Sequence, residues 1–127
     1  MNAIEQYLDA LDKQDWDRLA STLAEEGVVR DGPFVDVVKG KQPYVDFLIG
    51  IVSTLPNYSL TVHKLNDLGE NRWFVEVSET FDVQGTRTSY PEILEFRTDG
   101  DGQINFVSVF MKFPGMQPPV EGGSAAG

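Results

Sequence analysis

The sequence predicts an α+β fold in which three N-terminal helices pack in the concavity of a strongly curved, mixed and mostly antiparallel β-sheet, giving a cone-shaped α+β barrel. Three observations carry this. Apolar residues repeat at helical spacing up to Val52, the period changes to two beyond Asn57, and the β-rich segments that follow are joined by short turn sequences. A long antiparallel sheet twists, and helices that precede it in the chain cover one of its faces. Such a cone leaves a hydrophobic cavity between helices and concave face, where a small ligand fits.

Each element has its own signal. Ile4, Tyr7, Leu8 and Leu11 form the i, i+3, i+4, i+7 stripe of a first amphipathic helix. Asp15 is placed to cap a second, whose stripe is Trp16, Leu19, Ala20 and Leu23, and Gly27 ends it. Val28 to Asp31 and Phe34 to Val38 read as short extended pieces around the Gly32-Pro33 turn. Gly40 precedes a third helix with Pro43 in its first turn, an apolar face of Tyr44, Phe47, Leu48, Ile51 and Val52, and Pro56 as its stop. Strands are expected at Tyr58–Asn66, Arg72–Val83, Thr86–Arg97 and Gln103–Phe113. Turn sequences at 67–71, 84–85 and 99–102 join them into a meander. Residues 1–113 thus form one domain, and Pro114 to Gly127 lacks the apolar content to dock and is expected to be a flexible tail.

Composition narrows the chemistry. The 127 residues include no cysteine and one histidine, which excludes thiolate nucleophiles, zinc ribbons and multi-histidine metal sites. Carboxylates and hydroxyls must do the work, without metal or cofactor. Twenty Asp and Glu against ten Lys and Arg give a net charge of −10, which argues against nucleic acid and anionic membranes as partners. The opening residues show no secretory pattern and the longest apolar run, Phe47 to Val52, is too short to span a bilayer, so a cytoplasmic protein is expected. Asp99-Gly100-Asp101-Gly102 is closer to a hairpin turn than to a calcium loop, whose twelfth position would be Phe110 instead of Glu. Phosphate-loop, nucleophile-elbow and zinc-protease motifs are absent.

Strand alternation picks the candidate site residues. Trp73, Val75, Val77, Glu79, Phe81 and Val83 share a face, so Glu79 is a lone carboxyl in an apolar row; desolvation would raise its pKa unless a Lys or Arg pairs with it at the cavity mouth. Thr88, Tyr90, Glu92, Leu94 and Phe96 share a face of the next strand, which adds Tyr90 and Glu92. Trp16, Val107, Val109 and Met111 complete the expected substrate-binding wall with Phe81. Asp31 stands before Gly32-Pro33 either as a rim carboxylate or as an Asx-turn acceptor. Tyr7 lies on the buried stripe of the first helix, and His63 reads as a surface or wall residue.

Ile4-Glu5-Gln6-Tyr7-Leu8, Asp15-Trp16-Asp17-Arg18-Leu19, Val28-Val29-Arg30-Asp31 and Gly40 together resemble the nuclear transport factor two-like superfamily. Within it, the chain is similar to SnoaL-like polyketide cyclases and bacterial ketosteroid isomerases over residues 3–113. The resemblance implies that Asp31 is a general base, that Tyr7 donates to an enolate-type oxygen, and that Glu92 is a protonated acid beside it. Three departures are visible. The acid is Glu instead of Asp, the hairpin at Gln84-Gly85 is about two residues short, and Gly follows Asp31 where the isomerases have Pro.

The function expected is a cofactor-free acid–base enzyme for a small hydrophobic carbonyl compound, an isomerase, cyclase or dehydratase. A non-catalytic ligand-binding or assembly module of the same fold is the alternative. Epoxide hydrolysis calls for an Asp-Arg-Asp arrangement, and Arg72, Arg87 and Arg97 fall at strand ends or off the core face. A homodimer is expected through the outer sheet face. The last strand has Ile104, Phe106 and Phe110 on one side and Val107, Val109, Met111 and Phe113 on the other, so both sides are apolar.

Overall fold

The computed structural model describes residues 1–34 and 36–112. Helix α1 (Ala3–Lys13) opens on a capping box: the Glu5 backbone N–H donates to the Asn2 side chain at 2.8 Å, and the Asn2 N–H donates back to the Glu5 carboxylate at 3.1 Å. Asp15 caps α2 (Trp16–Ser21), accepting from the Arg18 N–H at 3.2 Å. The stripe predicts that α2 runs on to Leu23, yet it stops at Ser21. Strand pairing wins there, because the backbones of Thr22 and Ala24 bond to Ile104 at 2.9 and 2.8 Å.

Two three-residue strands, β1 (Val29–Asp31) and β2 (Val37–Lys39), precede α3 (Lys41–Val52). Gly40 opens α3 at φ +99°, a conformation that favours glycine. The meander follows as β3 (Ser59–Gly69), β4 (Arg72–Val83), β5 (Thr86–Thr98) and β6 (Ile104–Met111). All six strands form one sheet in the order β2-β1-β6-β5-β4-β3, antiparallel except where β1 lies parallel to β6. The curled sheet does not close, and the three helices lie N-terminal to the meander, as the sequence predicts. The Asp99 carboxylate closes the last turn by accepting from the N–H groups of Asp101 and Gln103 at 2.9 and 3.0 Å, so this segment is a hairpin.

The core lies between the helices and the inner face of the sheet. Ile4, Leu8, Leu19, Tyr44 and Leu48 meet Val75, Val77, Leu94, Phe96 and Val107 there. Each such apolar side chain contributes about 1.5–3 kcal/mol by leaving water, whereas exposed ion pairs such as Lys13 with Asp9 are screened by solvent and add little. Packing therefore dominates stability.

One residue of the last strand departs from simple alternation. Ile104 is fully buried although its parity groups it with Phe106 and Phe110. Arg97 pairs with Phe106 but Thr98 pairs with Ile104, so Asn105 is an extra residue and the phase flips across it. Phe113 and the segment from Pro114 to Gly127 lie outside the described residues.

Candidate active site

Five elements and one connecting residue bring polar side chains to the inner side of the sheet. On α1, Tyr7 is buried and its hydroxyl lies 2.6 Å from that of Tyr44 on α3. Arg30, at the centre of β1, points inward because it shares the parity of buried Val28 and pairs in register with Val107. Its Nη1 donates to the Tyr44 hydroxyl at 3.5 Å and its Nε to the Gly32 carbonyl at 3.3 Å. From β4, half-buried Glu79 accepts from the hydroxyl of Tyr58 at 2.5 Å. Glu92 on β5 is 6% exposed, and its buried Oε2 accepts from no donor among the described residues.

The two carboxyls interact. Val77 is directly opposite Glu92 and Tyr90 directly opposite Glu79, so both acids leave the same face of the ladder. Burial pushes Glu92 up to about 10, and hydrogen bonding to Glu79 and its negative charge add to the rise, while Arg30 opposes it. Glu92 is therefore a neutral acid at pH 7. Burial raises Tyr7, Tyr44 and Tyr58 as well, so their hydroxyls remain donors. Burial works against the Arg30 charge, but Tyr44, Tyr7 and Glu79 more than offset it, and the guanidinium stays protonated.

The other predicted residues fall around this cluster. Phe81 and Tyr90 stack at 4.9 Å between ring centroids and 10° between planes, half-buried on either side of the Glu79 position. Met111 is opposite Glu92 in the ladder, Val107 and Val109 are buried wall residues, and half-buried Trp16 packs against the core from α2. Glu79 forms no ion pair with Lys or Arg among the described residues; Tyr58 takes that place. His63 sits exposed at a bulge in β3, with Nε2 at 2.8 Å from the Ser78 hydroxyl.

Asp31 is not brought to the cluster. Inward-pointing Arg30 puts its neighbour on the opposite face, where Asp31 is exposed and its carboxylate has no hydrogen bond among the described residues, so the Asx turn is not formed either. Arg72 and Arg97 both bind Glu95 on the outer face, and Arg87 binds Asp82 and the Asn57 carbonyl. Arg30 is the arginine that reaches the interior. The sequence carried a signal for it: with Val28 in the core, period-two alternation sends Arg30 inward and Asp31 outward. Tyr44 was legible only as part of the apolar face of α3, and Tyr58 only as the start of a strand.

A groove of about 570 Å³ crosses the outward side of β3 to β6, lined by His63, Glu76, Ser78, Ile93, Phe110 and Lys112 together with parts of Glu92 and Met111. It is not the space between helices and sheet that the sequence predicts. Among the described residues no three His, Cys, Asp or Glu are grouped to hold a metal ion, and no helix is long and apolar enough to cross a membrane.

Helices over a curled sheet, with titratable groups gathered on its inner face, define a small α+β protein built around a polar site in an apolar core. The chain belongs to the SnoaL-like domain family, whose pattern matches residues 4–109. No curated protein matches it. Among solved structures it is similar to a Kribbella flavida protein described as a candidate ketosteroid isomerase, with 23% identity, 97% of this chain and 88% of that one covered, and a TM-score of 0.76. It is also similar to an LEH-like epoxide hydrolase of M. tuberculosis, at 18% identity, 87% and 80% coverage and a TM-score of 0.72. The epoxide hydrolase/cyclase-like enzyme SalBIII, of pyran ring formation in salinomycin, shares 16% identity over 87% of this chain and 88% of its own, with a TM-score of 0.73. At these identities the likeness is one of fold.

Proposed function

We propose that the protein is a cofactor-free acid–base enzyme that moves protons on a small, largely apolar carbonyl compound, as an isomerase or cyclase does. The observation that carries this reading is Glu92, a carboxylic acid kept neutral on the inner face of the sheet, diagonal to Glu79. Proton transfer next to a carbonyl needs one group that takes a proton and uncharged donors for the oxygen that gains charge. Glu79 is the base in this reading, taking the role that the family resemblance gives to Asp31. Glu92 and Tyr7 are the donors, and Phe81, Tyr90 and Met111 hold the apolar body of the substrate.

The test is turnover of a steroid enone and a polyketide-like diketone. Glu79→Gln should lower kcat by on the order of 10²–10⁴ while the protein stays folded. Full activity of this variant overturns the assignment. A wild type that turns over no carbonyl compound overturns the enzyme reading and leaves a ligand-binding module.

Epoxide opening is a second reading, and Arg30 favours it. An arginine inside the sheet with two carboxyls on the same face provides a carboxyl–guanidinium–carboxyl set, which the positions of Arg72, Arg87 and Arg97 do not. Diol formation from a small apolar epoxide, lost in Glu92→Gln, would select it over proton transfer to carbon.

A further inference from the structure

The geometry points to a carboxylate-binding site at Arg30: the molecule that enters the inner site carries one carboxylate on an apolar body, and Arg30 grips it. The chain has five arginines, and four of them reach a carboxylate: Arg18 with Asp9 at 2.6 Å, Arg72 and Arg97 with Glu95 at 3.0 and 2.9 Å, and Arg87 with Asp82 at 3.4 Å. The fifth, Arg30, is the most buried, at 9% exposure, and has no carboxylate within 4 Å among the described residues. Half-exposed arginines are thus paired and the buried one is not, the reverse of what desolvation asks. The rings of Tyr44 and Phe47, 5.6 and 5.3 Å from the guanidinium carbon, offset part of that cost by cation–π attraction.

The hydrogen-bond count points the same way. A guanidinium has five N–H donors. Arg30 uses Nε on the Gly32 carbonyl and one Nη1 proton on Tyr44, and Nη2 donates to no described residue. Nη2 is also not among the sealed atoms, so it keeps some exposed surface in a residue that is otherwise buried. Both contacts orient the fork before any ligand arrives. Gly32 is fixed at φ +97°, where an added Cβ would come within 2.7 Å of the Val109 carbonyl oxygen, so the acceptor that holds Nε cannot wander. The free protons on Nη1 and Nη2 match the two oxygens of a carboxylate end-on. One guanidinium, with the charge of Glu79 nearby, suits a single negative charge better than a phosphate.

This rests on the reading of the inner cluster as a substrate site and names the substrate class, a carbonyl compound that also bears a carboxylate. Calorimetry with 2-naphthoate and 2-naphthamide, which share an apolar body, tests it without turnover. The acid should bind the wild type at least tenfold more tightly at pH 7, and Arg30→Met should erase the preference. Equal binding, preference for the amide, no binding of either at millimolar concentration, or a preference that survives Arg30→Met overturns the proposal. Should that variant not fold, the Arg30 Nε–H resonance of the wild type should shift with naphthoate and not with naphthamide; any other pattern counts against it. Acid preference without turnover of any keto acid or ketone would sink the enzyme reading alone. Turnover of neutral ketones without acid preference would sink the carboxylate site alone.

Discussion

Glu79 and Glu92 stand diagonally across the β4–β5 ladder on one face, and the charge on the first helps keep the proton on the second. Burial is the larger cause. A carboxyl taken out of water into a row with Val77, Leu94 and Met111 loses hydration that nothing in the sheet replaces, and a second carboxylate beside it adds repulsion. Glu92 keeps its proton at neutral pH, so a neutral donor stands beside the Glu79 carboxyl.

This proton makes stability depend on pH. Glu92 is raised from 4.5 to about 10, so the folded state keeps a proton that the unfolded state releases. The contribution is fully present below pH 4.5 and falls as pH rises toward 10, by at most about 1.4 kcal/mol per pH unit. Thermal melts of the wild type should therefore show Tm declining from pH 5 to pH 9. Glu92→Gln, neutral at every pH, should flatten that slope and be the more stable form at pH 8. A wild-type Tm that rises over this range would show that Glu92 is ionised in the fold.

Asp31→Asn separates the resemblance from the geometry. Asp31 is exposed, on the face opposite Arg30, and no described residue bonds its carboxylate. The substitution should change stability by less than about 0.5 kcal/mol and leave turnover unchanged. A hundredfold loss of kcat in a well-folded variant would return the base to Asp31.

The same pair of residues shows what the sequence disclosed and what it did not. Helix stripes, the Asp15 cap, the turn at Asp99 and the faces of β4 and β5 were legible because each is a local pattern. Glu79, Glu92, Phe81 and Tyr90 accordingly fall together in space. The phase of β1 is not a local pattern, and the spacing from Tyr7 to Asp31 to Gly40 singles out the carboxylate, whereas it is Arg30 beside it that turns inward. Phase within three residues is set by what lies on either side, here Val107 and Ser108 of β6, and that pairing is long-range. Ile104 departs from simple alternation for a related reason. A one-residue bulge at Asn105 leaves no mark in an apolar run, yet it turns the side chains beyond it to the other face.

Apolar rings on the outer face remain to be covered. Phe110 on β6 is 57% exposed, Phe74 on β4 is partly exposed on the same face, and Arg97 sits over the ring of Phe106 at 4.5 Å. Large exposed rings on a sheet face mark interaction surfaces, and a second copy of the chain offers the same rings in return. Sedimentation at micromolar concentration should give a homodimer, and Phe110→Glu should give a folded monomer. A monomeric wild type would rule this out.

The Tyr7–Tyr44 contact yields the last expectation, an asymmetry between two similar deletions. Both hydroxyls are buried, they lie 2.6 Å apart, and only that of Tyr44 also meets Arg30. Arg30 can only donate, so the Tyr44 oxygen accepts from it, and with two lone pairs it also accepts from the Tyr7 hydroxyl, the direction in which the Tyr7 bond lowers the Tyr44 pKa and the Tyr44 bond raises that of Tyr7. Tyr7→Phe removes one hydroxyl from beside Tyr44, which keeps its bond from Arg30. Tyr44→Phe orphans both Tyr7 and Arg30 Nη1. A buried polar group without a partner costs about 1–3 kcal/mol, so Tyr44→Phe should be the more destabilising change by about 1 kcal/mol or more. Removing both hydroxyls also removes one of the orphans, so the double variant should be less destabilised than the sum of the single ones. Urea unfolding of the four proteins at pH 7 measures all three differences. Strict additivity would mean that the two hydroxyls do not act as one hydrogen-bonded unit.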